Sequence, residues 1–262
     1  MAVRDTCLFC PSTGPFTAEH LFSSWLGATF PKGARFRHER GMGSIDPTTR
    51  LGTPGVPTTV WTANDVGLKF RHVCRECNNG WMSALEAAFK AILIRFGSGE
   101  SHTVTPSQRL AITRWLLTKA VVIDAMSGSD RRFFAASDGA MLKAGAITGW
   151  TAAWAALCER GANNLTAQHC EPQMSFGARR SPLRAFAFTI TIETMLFQSL
   201  TMRVPDRVND IAIGQRSAAE EHMVSLWPLG VAARWPSPEF FAKEELPRLA
   251  TRHEGVHVLP VR

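Results

Sequence analysis

Two Cys-x-x-Cys pairs have the types and spacing that could do chemistry: Cys7 and Cys10 in "CLFC", Cys74 and Cys77 in "VCREC". Thiolates are soft ligands, and four of them satisfy the tetrahedral preference of zinc. One pair alone would suit redox chemistry equally well. Two pairs in a chain without repeats point to a single structural Zn2+. Closing the 63 residues between Cys10 and Cys74 costs a few tenths to about 1 kcal/mol more than closing a compact loop. A zinc-finger-type site returns on the order of 10 kcal/mol at neutral pH, so the long gap is tolerable. Cys158 and Cys170 complete the six cysteines, stand apart from the pairs, and read as small core residues.

A different chemistry follows each pair. Glu19 and His20 come soon after Cys10, and Asn78 directly follows Cys77. A shared zinc would bring all three together. The carboxylate of Glu19 and the amide oxygen of Asn78 suit a hard cation such as Mg2+ or Mn2+. The imidazole of His20, with an ordinary pKa near 6.5, can take a proton from water at neutral pH. This is a one-metal phosphodiester hydrolysis site in outline. The ion would stabilise the phosphate and the leaving oxygen, and His20 would activate the nucleophile.

The combined pattern "CLFC…AEHLF…VCRECN" resembles the HNH, or ββα-metal, endonuclease superfamily, in its branch stapled by a four-cysteine zinc. The resemblance spans residues 7 to about 90. It implies an acid–His pair at the end of a first strand and a third ligand on the helix after the second cysteine pair. It also implies hydrolysis of DNA, expected as duplex, with Mg2+ or a similar ion. Glu19 then matches the acidic metal ligand, His20 the general base, and Asn78 the third position in its Asn form. Some features depart from the pattern. Asn64 is the nearest match to the middle Asn of the family but lies ten residues before Cys74. Trp81 and Met82 stand near where the family often has a Lys, and the insertion after His20 is long. Asn79 becomes the ligand if the helix starts one residue later. Glu86, two turns along, reads as a surface ion-pair partner. The alternative reading is a zinc-stapled nucleic-acid-binding module with an inactive nuclease site; a third is a zinc-stabilised protein-interaction scaffold.

The surrounding chain must position these groups. Its 262 residues are 45% apolar, which excludes a disordered chain and allows a sizeable core. No apolar run reaches the roughly 20 residues needed to cross a bilayer. No apolar export segment precedes Cys7, so the expected compartment is the reducing cytoplasm. A net charge of +7 and a pI near 9.5 favour polyanionic partners. Basic residues gather in "PKGARFRHER", where Lys32, Arg35, Arg37 and Arg40 are candidate phosphate contacts or else a solvated loop.

The expected fold class is α+β: a zinc-stapled ββα-metal unit over residues 1–100, then a mixed α+β domain over 101–262. The Gly/Pro/Thr-rich stretch 41–59 reads as irregular. "VGLKFRHVC" alternates like a strand, and Trp81, Leu85, Phe89, Ile92 and Phe96 recur at helical steps until "GSG" at 97–99. Thr105, Pro106 and Gln108 predict a capped helix start. Its apolar stripe predicts a core helix, with Lys119 snorkelling at the edge. Residues 184–204 and 223–235 read as strands, and a helix is expected from Ser237. His169, His222, His253 and His257 are scattered and read as ordinary surface or core residues. The second domain is open to a role in homodimer formation or in holding a partner protein.

Overall fold

The computed structural model describes residues 6–29, 36–41, 44–45, 52–53, 57–63, 69–125, 132–147, 150–160, 165–170, 173–175, 182–203, 211–214, 223–229, 232–237, 240–242 and 257–260. It is a mixed α+β structure with few helices and several sheets.

Strand β1 (Phe16–His20) pairs antiparallel with β4 (Lys69–Cys74), and the short helix α1 (Ser24–Thr29) follows β1. The register slips between Thr17 and Glu19: Thr17 faces Val73, whereas Glu19 faces Phe70. This bulge frees the carbonyl of His72 to accept the N–H of Leu8 at 3.0 Å, which ties the first cysteine turn to β4. Between them, β2 (Phe36–Gly41) and β3 (Pro57–Ala63) form a second antiparallel pair, and residues 44–45 pair with 52–53. The stretch 41–59 expected as irregular therefore contributes strands.

After β4 the chain turns helical at once. Arg75–Cys77 makes one turn, Asn78–Met82 a wider one, and α2 (Ser83–Gly97) runs on from it. Gly80 leaves helical geometry at φ −94°, ψ −111°, so the entry is kinked rather than straight. Leu85, Phe89, Ile92 and Phe96 form the buried stripe read from the sequence. Gly99, at φ +73°, donates to the Phe96 carbonyl and ends the helix.

Helix α3 (Pro106–Asp124) begins with the expected capping box: the N–H of Gln108 donates to Thr105 Oγ1, and Gln108 Oε1 accepts the N–H of Thr105. From Ile112 onward it is buried on nearly every face, as a helix in the middle of a core must be. Lys119 lies in that buried length, not at its edge; only 1% of its side chain is exposed. Helix α4 (Ala136–Lys143), not anticipated from the sequence, packs its backbone on the first cysteine turn. A Cβ added at Gly139 would come within 1.9 Å of the Leu8 carbonyl oxygen.

A seven-stranded sheet forms the rest of the core. Its spine is β5 (Trp150–Cys158) between β7 (Met195–Arg203) and β8 (Val224–Trp227), with β6 (Pro182–Ile192) beyond β7. Residues 182–192 and 195–203 are antiparallel partners turned at Glu193, which takes φ 55°. Phe240–Phe241, where a helix was expected, instead adds in parallel to β5. Alternate residues of β5 serve two clusters: Ala153 and Ala155 face the α2–α3 side, Ala152, Trp154 and Ala156 the other. The first cluster is continuous from Cys7, Cys74 and Cys77 through Phe89 and Trp115 to Phe197 and Trp235. Its centre is aromatic, with Phe89 stacked on Trp115 at 3.8 Å and Phe96 on Trp235 at 4.2 Å. No helix among the described residues is long and apolar enough to cross a membrane.

Candidate metal centre

The bulged β1–β4 pair and the helix entry behind it hold the two cysteine turns face to face. Cys7 N–H donates to the Ser12 carbonyl at 2.8 Å, closing the first turn, and Arg75 N–H donates to the Pro15 carbonyl at 3.1 Å, fixing the second against it. The four sulfurs of Cys7, Cys10, Cys74 and Cys77 all lie within 4.8 Å of one another. Cys10 stands 3.6 Å from both Cys74 and Cys77. Tetrahedral zinc with Zn–S near 2.3 Å would set its sulfurs roughly 3.8 Å apart. The donor set and its spacing therefore fit one structural metal ion. The backbone N–H groups of Phe9 and Cys74 point at Cys7 Sγ, at 3.5 and 3.4 Å, and would stabilise a thiolate there.

Without metal the four thiols differ in acidity. Burial pushes Cys7 and Cys77 up. Burial also acts to raise Cys74, but the Cys77 backbone N–H and hydrogen bonds from Cys10, Cys7 and Cys77 bring it down to about 7. Metal uptake must displace the remaining protons, so it is coupled to pH. The Lys143 ammonium, in the last turn of α4, is raised by the neighbouring Cys77, Cys10 and Cys74 sulfurs. Its charge opposes the net −2 that four thiolates and one Zn2+ would carry.

A second group of charges lies beside this centre. Glu19 is 5% exposed, on the same side of the strand pair as buried Phe70. Its Oε1 accepts from Lys119 Nζ at 2.7 Å. The same ammonium donates to Glu86 Oε1 at 2.7 Å and to the His20 carbonyl at 2.9 Å. An ammonium has three N–H donors, and all three are used. That explains how Lys119 tolerates full burial. Burial pushes its pKa down, but the Glu19 and Glu86 carboxylates more than reverse this, and the net direction is up. Ser23 Oγ also donates to Glu86 Oε1.

Asn78 is placed by a different contact. Thr17 Oγ1 gives its only proton to the Val73 carbonyl at 3.3 Å, so it must accept from Asn78, whose Nδ2 lies 2.8 Å away. This fixes the amide orientation, with Nδ2 on Thr17 and Oδ1 on the other side of the amide. Thr17 and Glu19 alternate along β1 and share one face, about 7 Å apart. His20 alternates to the opposite face, opposite exposed Lys69, and is half-buried. The structure thus sets Asn78 and Glu19 on one side of β1 and His20 at its end. No hydrogen bond among the described residues joins Glu19 or His20 to Asn78. Asn79 is exposed.

Glu86 is an ion-pair partner, as the sequence reading had it, but beside Glu19 rather than out on the surface; its side chain is 25% exposed. Lys119 was missed as a site residue. The signal was present: Lys119 follows Trp115 by four residues and Leu116 by three, in line with the core stripe. Of the candidate phosphate contacts, Lys32 and Arg35 lie outside the described residues, as does Asn64. Arg37 and Arg40 lie in β2, opposite Thr62 and Thr59 of β3. Comparison with family models, curated proteins and solved structures returned no match.

Proposed function

We propose that this protein is a metal-dependent DNA endonuclease whose ββα unit is stapled by one structural zinc. The observation that best supports this reading is the order β1, β4, helix, closed by the four-cysteine cluster, with Asn78 Oδ1 and the Glu19 carboxylate on one side of β1. Glu19 and Asn78 would hold one Mg2+ or Mn2+, which supplies charge stabilisation to the phosphate when bound. His20, half-buried at the strand end, is the group that would accept a proton from the attacking water; because it alternates to the face opposite Glu19, that water would have to reach it around the end of β1. Arg37, Arg40 and the neighbouring Lys32 and Arg35 would track the DNA backbone.

One observation favours a second reading. Glu19 is almost fully buried and already paired with Lys119. An acid so engaged could be purely structural, which would leave a zinc-stapled nucleic-acid-binding module without cleavage.

Supercoiled plasmid incubated with the zinc-loaded protein under Mg2+, Mn2+ or chelator separates the two. Cleavage should require the divalent ion and should fall by about 10² to 10⁴ in His20→Ala. Zinc content and DNA affinity should stay near wild type in that variant. Retarded plasmid with no nicking under any ion would select the binding module.

A further inference from the structure

Lys119, Glu19 and Glu86 together carry a net charge of −1 in a place where an unbalanced charge is costly. The ammonium touches Glu19 through Oε1 alone. It also holds the backbone carbonyl of His20, so one group grips both neighbouring residues of the β1 end. Glu86, itself held by the Ser23 hydroxyl, takes the third N–H. The N–H that the two carboxylates leave over, which a fully buried ammonium must also satisfy, is placed on the strand itself. Contact with the His20 carbonyl adds a geometric constraint on the strand that carries the proposed chemistry.

We propose that Lys119 is a positioning residue: it fixes the Glu19 carboxylate and the His20 backbone so that Glu19 Oε2 and Asn78 Oδ1 can receive one divalent cation. The residual −1 charge of the cluster would draw the ion in. The ammonium takes one carboxylate oxygen and leaves the other for the ion; its own positive charge works against the ion, and the fixed geometry must outweigh this repulsion. This inference rests on the metal-dependent reading of Glu19 and Asn78 given above.

The test uses the full zinc-loaded chain and Mn2+ as the probe, followed by electron paramagnetic resonance of the bound ion and by plasmid cleavage. Wild type should bind Mn2+, and Glu19→Gln should abolish that binding. Lys119→Met should weaken Mn2+ binding or slow cleavage by about 10- to 100-fold, as loss of a residue that orients a metal ligand does. Zinc content should not change. Lys119→Arg keeps the charge and should recover part of the loss; it also serves as the readout if Lys119→Met fails to fold. Tighter Mn2+ binding in folded Lys119→Met would show competition and overturn the proposal. So would binding and cleavage both unchanged, or a wild-type chain that binds no Mn2+ through Glu19. A wild-type chain that binds Mn2+ through Glu19 but cuts no substrate would sink the nuclease reading and leave the role of Lys119 at the ion standing.

Discussion

The cysteine cluster and the lysine-centred cluster lie on the same strand pair and solve opposite problems. Four thiols packed within 4.8 Å gain little from one another and fit one metal ion in place of their protons. Lys119, Glu19 and Glu86 are held by one another, and their residual charge of −1 is eased by the partly exposed Glu86. A metal ion held by the first centre would make folding depend on something outside the chain. The second makes it depend on complete pairing within the chain. Breaking each in turn should show these two kinds of dependence.

Removal of the metal should have the largest effect. Cys74→Ser, or a strong chelator, should withdraw on the order of 10 kcal/mol of metal-linked stability from the N-terminal part. Elemental analysis should find one zinc per chain in wild type and none in the variant, with loss of the folded near-ultraviolet signal. The site should also empty as pH falls, because protons compete for the thiolates. A wild-type chain that melts at the same temperature with and without chelator would remove the staple from the account.

Next comes the lysine cluster. Glu19→Ala leaves the buried ammonium with Glu86 and the His20 carbonyl only, and should cost about 3 to 5 kcal/mol. Glu86→Ala should cost less, because its 25% exposed side chain is partly solvated already. Urea unfolding of the zinc-loaded variants measures both. Equal, small losses would mean that the cluster is more hydrated than its burial indicates.

The contact that joins helix α4 to the cysteine turn should give a smaller effect. Gly139→Ala puts a methyl 1.9 Å from the Leu8 carbonyl, which is backbone and cannot rotate away. Forced overpacking of this kind costs about 1 to 3 kcal/mol. The variant should also lose zinc faster to chelator than wild type does. A fall in stability with unchanged zinc release would confine the strain to α4.

What was legible in the sequence follows the same division. Cys7, Cys10, Cys74 and Cys77 announce themselves by spacing, and the cluster forms as expected. The α2 stripe and the Thr105 capping box are also local patterns, readable within one turn of helix. The triad of Glu19, Glu86 and Lys119 joins three separate segments, so no local spacing could reveal it. Lys119 was assigned to a helix edge because a lysine in a core stripe usually reaches solvent. Here two carboxylates and a carbonyl replace that solvent. The strand at Phe240–Phe241 was hidden because Ser237 and Pro238 mimic a helix start, whereas pairing with β5 decided the outcome.

The smallest expected effect tests whether helix α3 is held by its cap or by the core around it. Thr105 Oγ1 accepts the Gln108 N–H, and Gln108 Oε1 accepts the Thr105 N–H, so the reciprocal bonds satisfy two groups at an exposed helix end. Thr105→Ala removes one of them and should cost about 1 kcal/mol. Lys119 lies fourteen residues further on, nearly four turns along the helix and deep in the core, so its contacts should not sense the change. Urea unfolding should therefore show a modest shift in midpoint, with zinc content and Mn2+ binding unaltered. A loss of Mn2+ binding from Thr105→Ala would mean that α3 moves as one rigid lever. In that case the cap, nearly four turns from Lys119, would be part of what positions Glu19.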